Sequence, residues 1–172
     1  MSKSVRAVPE GNNKPHDQNT PKPDPALTRL DRLSGSWNLK GRPLDSEEDS
    51  ITGTTTFKWM HGIFGTSFFL QQDMKMDYAG KLIKSHEIIG YNPKTKAFSS
   101  YVYSNMAPDP WPYEWDIQGD TLIISIKSGP MDATFHGKFS LDGNSFSGGW
   151  RPNPGADEVI NTPYDVTASR VK

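Results

Sequence analysis

The chain has 172 residues, which favours a single domain, and its 19 basic and 20 acidic side chains give a formal net charge of −1. This balance provides no electrostatic reason to expect nucleic acid or an anionic membrane as a partner. Because the chain has no cysteine, disulfides, thiolate catalysis and cysteine-ligated metals are excluded.

The first segment, residues 1–26, is polar, rich in proline and free of aromatic side chains. Such a segment buries too little apolar surface to offset its ordering entropy, so its composition predicts a disordered tail. It has no apolar core of a secretory signal, and no apolar run in the chain is long enough to span a bilayer. We therefore expect a soluble, cytoplasmic protein whose folded domain comprises residues 27–172.

A short helix is predicted at about residues 25–34. Asp24 is suited to the N-cap, and Pro25 fits the first helical turn. Leu27, Leu30 and Leu33 recur every three residues and form an apolar face. Gly35 then ends the helix, and Trp37 brings a large apolar ring to the first strand.

From Trp37 onward, segments rich in β-branched and aromatic residues alternate with turn residues such as Ala79-Gly80 and Asp142-Gly143. This pattern is typical of antiparallel strands joined by hairpins. Successive strands without intervening helices favour an up-and-down β-barrel of eight to ten strands over a sandwich. The predicted strands are 36–42, 51–60, 63–76, 81–91, 97–104, 112–117, 120–127, 131–140, 145–151 and 164–171.

The alternation of side chains along each strand predicts which residues point into the barrel. A barrel of more than eight strands leaves room for a ligand, and ligand cavities are mostly apolar with a few placed polar groups. The predicted inner face is aromatic with isolated polar side chains. The candidate ligand-binding residues are Phe57, Trp59, Phe68, Gln72, Glu87, Tyr91, Tyr101, Tyr103, Tyr113 and Trp115.

Four stretches of the sequence resemble the DUF1579 family, a group similar to the calycin and lipocalin-like β-barrels. They occur in the family's order and cover roughly residues 27–171. They are Leu30–Trp37 with Gly41-Arg42, Gly53–Trp59, Glu87–Pro93 and Gly137–Trp150. The resemblance implies a barrel in which the tryptophan of Gly35-Ser36-Trp37 packs against a late arginine, here Arg170. It implies no catalytic residues.

Two functions remain open at this point. The first is the binding of a small hydrophobic or aromatic molecule inside the barrel. The second is catalysis, of the cyclase or isomerase type, on a hydrophobic metabolite. A buried Glu87 would then transfer protons, because desolvation raises the pKa of a carboxyl group, and Tyr101 or Tyr103 would assist it. A homodimer contact through aromatic residues near Trp111 is a third possibility.

The histidines raise the question of a metal or haem site, since three imidazoles can ligate zinc or iron. His61, His86 and His136 lie on or beside three different segments and form no metal-binding motif. The alternation places His86 and His136 on the outer face. We therefore predict neither a metal nor another cofactor.

Overall fold

A computed structural model of the chain describes residues 21–62 and 65–172, and the first twenty residues of the predicted tail lie outside this range. The described residues form one short 3₁₀ helix, η1, followed by ten strands. The helix is η1 (Pro25–Leu33), and the strands are β1 (Gly35–Pro43), β2 (Ile51–His61), β3 (Ser67–Tyr78), β4 (Lys81–Asn92), β5 (Ala97–Ser104), β6 (Trp111–Gln118), β7 (Thr121–Ser128), β8 (Met131–Phe139), β9 (Ser145–Pro152) and β10 (Tyr164–Arg170).

The strands form a closed antiparallel barrel in which each strand pairs with the next along the chain, and β1 pairs with β10. This is the predicted up-and-down barrel, and the predicted segments coincide with the observed strands. The third strand, β3, begins at Ser67, and residues 63 and 64 of the predicted segment lie outside the described residues. Within the described part of the chain, no helix is both long and apolar enough to cross a membrane.

The 3₁₀ geometry of η1 explains the three-residue spacing of its leucines, because this helix has about three residues per turn. Leu27, Leu30 and Leu33 lie on one side of η1 and are buried against the strands. As predicted, Asp24 caps the helix: its carboxylate accepts a 2.8 Å hydrogen bond from the amide of Ala26. The helix therefore supplies an apolar face to the barrel from a sequence that is otherwise polar.

Helix η1 closes one end of the barrel. Its Arg29 guanidinium lies 4.8 Å from the ring centre of Phe98 and reaches the carbonyl of Ile117 on β6. Arg32 lies 3.8 Å from the ring centre of Phe139. Both arginines thus make cation–π contacts with aromatic rings at the strand ends. Together with the buried leucines of η1, these contacts close this end of the barrel.

The first and last strands meet at Trp37 and Arg170. The Arg170 guanidinium lies 4.1 Å from the Trp37 ring centre and donates hydrogen bonds to the carbonyl oxygens of Ser34 (2.5 Å) and Arg32 (2.9 Å). The indole N–H donates to the Leu33 carbonyl at 2.8 Å. We call Trp37 and Arg170 the clasp. It joins β1, β10 and the end of η1, and it has the arrangement that the sequence resemblance implies.

Replacing Gly35 with alanine should test how tightly the clasp is packed. Gly35 has φ = +119°, and a Cβ at this position would lie 2.7 Å from an Arg170 guanidinium nitrogen. We expect Gly35→Ala to lower the free energy of unfolding by about 2–3 kcal/mol, from backbone strain together with displacement of Arg170. Urea denaturation would measure the loss.

The matched control is Gly80→Ala in the β3–β4 turn. Gly80 also has a positive φ, +85°, but no atom lies within 4 Å of the position of its added Cβ. It therefore reports backbone strain alone, about 1 kcal/mol. Equal losses at the two positions would contradict the importance of the Gly35–Arg170 contact.

Candidate functional site

The end of the barrel opposite η1 opens into a cavity of about 540 Å³, within the size range of small-molecule sites. Its walls come from β3 to β10 and its mouth from the loops between them. Most lining side chains are apolar or aromatic. Around the cavity lie Gln72, Met74, Met76, Tyr78, Lys81, Leu82, Ile83, Ser85, Glu87, Val102, Ser104, Asn105, Met106, Trp111, Tyr113, Ile126, Met131, Ala133, Trp150, Val159, Ile160, Asn161, Thr162 and Tyr164.

A smaller space of about 100 Å³ lies between this cavity and the η1 end of the barrel. It is also lined by Phe57 and Trp115. The residues that it shares with the larger cavity are Gln72, Met74, Met76, Trp150 and Tyr164. The interior is therefore packed solid near the helix and becomes progressively hollow toward the mouth. Ten strands enclose more space than the available side chains fill.

Glu87 is the acidic group of this interior. Its side chain is buried, with 3% of its surface exposed, and it lines the cavity from β4. One carboxylate oxygen, Oε1, accepts hydrogen bonds from the Ser100 hydroxyl and, at 3.0 Å, from the Trp115 indole N–H. The other oxygen, Oε2, has no hydrogen-bond partner among the described residues, so it is the oxygen left for a molecule in the cavity that Glu87 lines.

Burial sets the proton affinity of Glu87. Desolvation raises the pKa of the carboxyl group to about 7, and the hydrogen bonds from Ser100 and Trp115 oppose this rise only in part. His86, the next residue along β4, lies on the outer face and pairs with Asp73 at 2.8 Å. Glu87 is therefore a group that can hold or release a proton near neutral pH inside an apolar cavity.

Three tyrosines complete the polar lining. Burial, followed by the proximity of Glu87, raises the pKa of Tyr113, and burial, followed by Tyr78, raises the pKa of Tyr164. The Tyr78 hydroxyl is sealed from solvent without a hydrogen-bond partner among the described residues. These phenols are neutral, and each can offer its hydroxyl to a guest molecule.

The aromatic rings of the cavity wall contact one another in pairs. Tyr113 and Trp150 lie 5.6 Å apart between ring centres, and Tyr78 and Tyr164 lie 5.5 Å apart in an edge-to-face arrangement. Register explains the grouping, because Trp150 is paired with Tyr164 on one side and with Phe135 on the other. Directly paired residues share a face of the sheet, so β8, β9 and β10 present a continuous aromatic surface.

The structure brings only part of the predicted site together. Gln72, Glu87 and Tyr113 line the large cavity, while Phe57 and Trp115 line the deeper space. Three further candidates lie toward the η1 end. Trp59 donates a hydrogen bond to Asp31 of η1, Tyr91 packs on Phe98 beneath Arg29, and Phe68 is half-buried near the start of β3.

The prediction that Tyr101 and Tyr103 point into the barrel is wrong. Their exposed fractions are 58% and 55%, and they lie on the outer surface of the barrel. The register pairs Val102 with Glu87 and Ser100 with Ile89, so the even-numbered residues of β5 point inward. Two tyrosines in alternation suggested an apolar face, but the phenol ring tolerates exposure, and the interior instead requires the small Ser100 beside Glu87. Tyr101 therefore cannot assist Glu87 in the cavity.

The histidines do not converge. His86 pairs with Asp73, His61 bonds to Ser67 at 2.9 Å, and His136 is exposed on β8. Nowhere in residues 21–62 or 65–172 do three His, Cys, Asp or Glu side chains lie close enough together to hold a metal ion.

A family profile described as "Protein of unknown function (DUF1579)" matches residues 22–138. The chain belongs to the DUF1579 family. This membership confirms the resemblance inferred from the sequence. A search of curated proteins found no match. Among solved structures, "Crystal Structure of Rv2717c from M. tuberculosis" is similar, with a TM-score of 0.52 and 14% identity, over 88% of this chain and 100% of that one. At this identity the likeness shows a shared fold alone.

The candidate residues named from the sequence omit most of the aromatic and methionine side chains that line the cavity. Met74, Met76 and Tyr78 continue the inward alternation that passes through Gln72 on β3, so that pattern could have identified them. Trp150 is in phase with the buried Phe146 on β9, and Tyr164 is in phase with the buried Ala168 on β10, so the same alternation could have identified both. On β9 the signal is weakened, because Gly148 and Gly149 place no side chain between Ser147 and Trp150.

Proposed function

We propose that this DUF1579 protein binds a small, largely apolar molecule in the cavity of its barrel. The observation that carries the proposal is a cavity of about 540 Å³ whose wall is apolar and aromatic and includes a buried hydroxyl, that of Tyr78, without a hydrogen-bond partner among the described residues. Buried polar groups without partners are costly, so their presence at a cavity wall is typical of a site completed by a ligand.

The closed end of the barrel supports this interpretation. Helix η1 and the aromatic layer beneath it provide a rigid base, and the mouth has exposed apolar side chains, with 87% of Val159 and 58% of Met106 accessible. An apolar guest would cover such side chains and gain hydrophobic free energy from their burial. A native mass spectrum of freshly purified protein would test for a molecule that remains bound.

Filling the cavity should abolish binding without unfolding the barrel. Ala133 is buried on β8 and lines the cavity, so Ala133→Leu places its added atoms in empty space. We expect this variant to lose at least about tenfold in affinity for an apolar fluorescent probe, measured by tryptophan fluorescence, with a change of less than about 1 kcal/mol in stability.

Ala97→Leu is the matched control, because Ala97 is exposed at the start of β5 and remote from the cavity. It should bind the probe as the unmodified protein does. Unchanged binding by Ala133→Leu would contradict a site in the cavity.

A second candidate function is proton-transfer catalysis on a hydrophobic metabolite, which the placement of Glu87 favours. Its pKa of about 7 suits a general acid or base near neutral pH, and its side chain lines the cavity. Tyr113 would replace the exposed Tyr101 as its neighbour. Incubation of a co-purified molecule in D₂O with the protein would reveal carbon-bound deuterium if Glu87 exchanges protons, and Glu87→Gln should prevent that exchange.

A further inference from the structure

The two charged side chains of the cavity wall lie at different depths. Among the described lining residues, Glu87 is the only acid and Lys81 the only base, and Lys81 lies at the mouth, on the β3–β4 hairpin. A ligand with a carboxylate or phosphate would therefore place its charge beside an acid, with no cation at depth to pair with it. Burial of an unpaired charge is strongly unfavourable.

Two hydrogen-bond acceptors of the same wall have no donor among the described residues. They are Oε2 of Glu87 and the amide oxygen of Gln72, whose amide N–H donates to Thr55 at 2.9 Å. Tyr113 stands close enough to Glu87 for the carboxylate charge to affect its pKa. A guest that donates hydrogen bonds satisfies these oxygens, whereas one that only accepts leaves the carboxylate and the amide oxygen without partners.

Aromatic faces add a preference for positive charge. Tyr113, Trp150 and Tyr164 line the cavity together with Glu87, and an organic cation over such rings is attracted by their negative faces. The hydrogen bonds that Ser100 and Trp115 donate to Oε1 favour the ionised carboxylate. An ammonium group at Oε2 would add the counter-charge that these two hydrogen bonds alone do not supply against the cost of burying the carboxylate.

From this arrangement, and resting on the proposed ligand-binding function, we infer that the cavity selects a protonated amine on an apolar body. The ammonium group pairs with Oε2 of Glu87 beside Tyr113, and the apolar body lies among the methionines and the aromatic wall. The ligand class is thus a hydrophobic organic cation rather than a fatty acid or another anionic lipid.

Three compounds of the same shape test this selectivity by calorimetric titration: naphthylmethylamine, naphthylmethanol and naphthoate. At about pH 8 the amine should bind at least about tenfold more tightly than the alcohol, and naphthoate should bind most weakly. Glu87→Gln keeps the acceptor that Ser100 and Trp115 use but removes the charge. It should remove the preference for the amine and leave the affinity for the alcohol within about threefold.

The pH dependence of the affinity for the amine tests the inference on the unmodified protein. The titratable groups near Glu87 are Tyr113, which is neutral in this range, and His86, which lies on the outer face. Between about pH 6 and pH 8 the carboxyl group, with its pKa of about 7, loses its proton while the amine remains charged, so the affinity for the amine should rise by up to about tenfold. His86→Gln controls for the outer histidine and should leave the direction of the profile unchanged.

The outcomes separate the two proposals. If the alcohol binds as tightly as the amine, if the amine preference persists in Glu87→Gln, or if affinity for the amine falls with rising pH, the inference about amines is wrong while the binding function stands. If none of the three compounds binds, both are wrong. Should Glu87→Gln fail to fold, the compound order and the pH profile of the unmodified protein still decide the question.

Discussion

Replacing Trp37 with alanine should lower the free energy of unfolding by about 3–5 kcal/mol, the cost of truncating a fully buried aromatic side chain. Trp37 has no exposed surface, and its ring packs edge-to-face on Phe146, with 5.2 Å between ring centres. The variant also deprives the Arg170 guanidinium of its aromatic face and leaves the Leu33 carbonyl without the indole donor. The loss should appear in urea or thermal denaturation followed by circular dichroism.

Trp111→Ala provides the comparison. Trp111 is half-buried at the cavity mouth, at the start of β6, so its truncation should cost less than about 2 kcal/mol and should weaken ligand binding instead. The two tryptophans thus separate a structural role from a binding role. A Trp37→Ala protein that keeps its stability and loses its ligand would show that the clasp is not structural.

The second large effect concerns Glu87 and pH. The unfolded carboxyl group titrates near its ordinary pKa of 4.5, whereas burial raises the pKa of the folded group to about 7. The folded state thus holds a proton that the unfolded state releases between these values. The stabilisation that this provides is fully present below about pH 4.5 and is lost as the pH rises through 7.

Glu87→Gln removes this dependence, because the amide does not ionise. The difference in unfolding free energy between the variant and the unmodified protein should therefore change by about 2–3 kcal/mol between about pH 5 and pH 8, in favour of the variant at the higher pH. Denaturant titrations at several pH values would measure it. Glu114→Gln, on the outer face of the adjacent region of β6, controls for the loss of one carboxyl group.

If the difference in unfolding free energy between Glu87→Gln and the unmodified protein stays constant with pH, Glu87 has the same pKa in the folded and unfolded states. The carboxyl group would then be well solvated in the folded protein. That result would also remove the basis of the proposed proton-transfer role. A difference that grows in the opposite direction would indicate a cation beside Glu87, in conflict with the lining of the cavity.

Local patterns were sufficient for the strands and for most of the inner face. Inward alternation was predicted for β2, β3, β4, β6 and β8, and the buried residues follow it, as Phe57, Leu70 and Ile89 illustrate. Such patterns work because one face of each strand is packed and the other is solvated, which enforces a period of two. They identified Glu87 as an inward acid before any pairing was known.

The same reasoning failed at β5 for a physical reason. Tyrosine is apolar in its ring and polar at its hydroxyl, so the alternation of Tyr101 and Tyr103 with small residues fits either face. The decision came from the neighbouring strand: Glu87 points inward and pairs with Val102, which forces both tyrosines outward. Knowledge of the partner strand, which a local pattern does not contain, was needed to choose.

By itself, the sequence determined the barrel class, the short capped helix and the presence of a buried acid, because these depend on periodicity and turn chemistry within short stretches. The clasp partners were implied by the family resemblance. Only the tertiary structure decided where the interior is hollow and which groups surround Glu87. Strand pairing brings Ser100 and Trp115 to Glu87, and closure of the ten strands brings Trp150 and Tyr164, from β9 and β10, to the cavity that Glu87 lines. Strand register and barrel closure are long-range properties, and the candidate site depends on both.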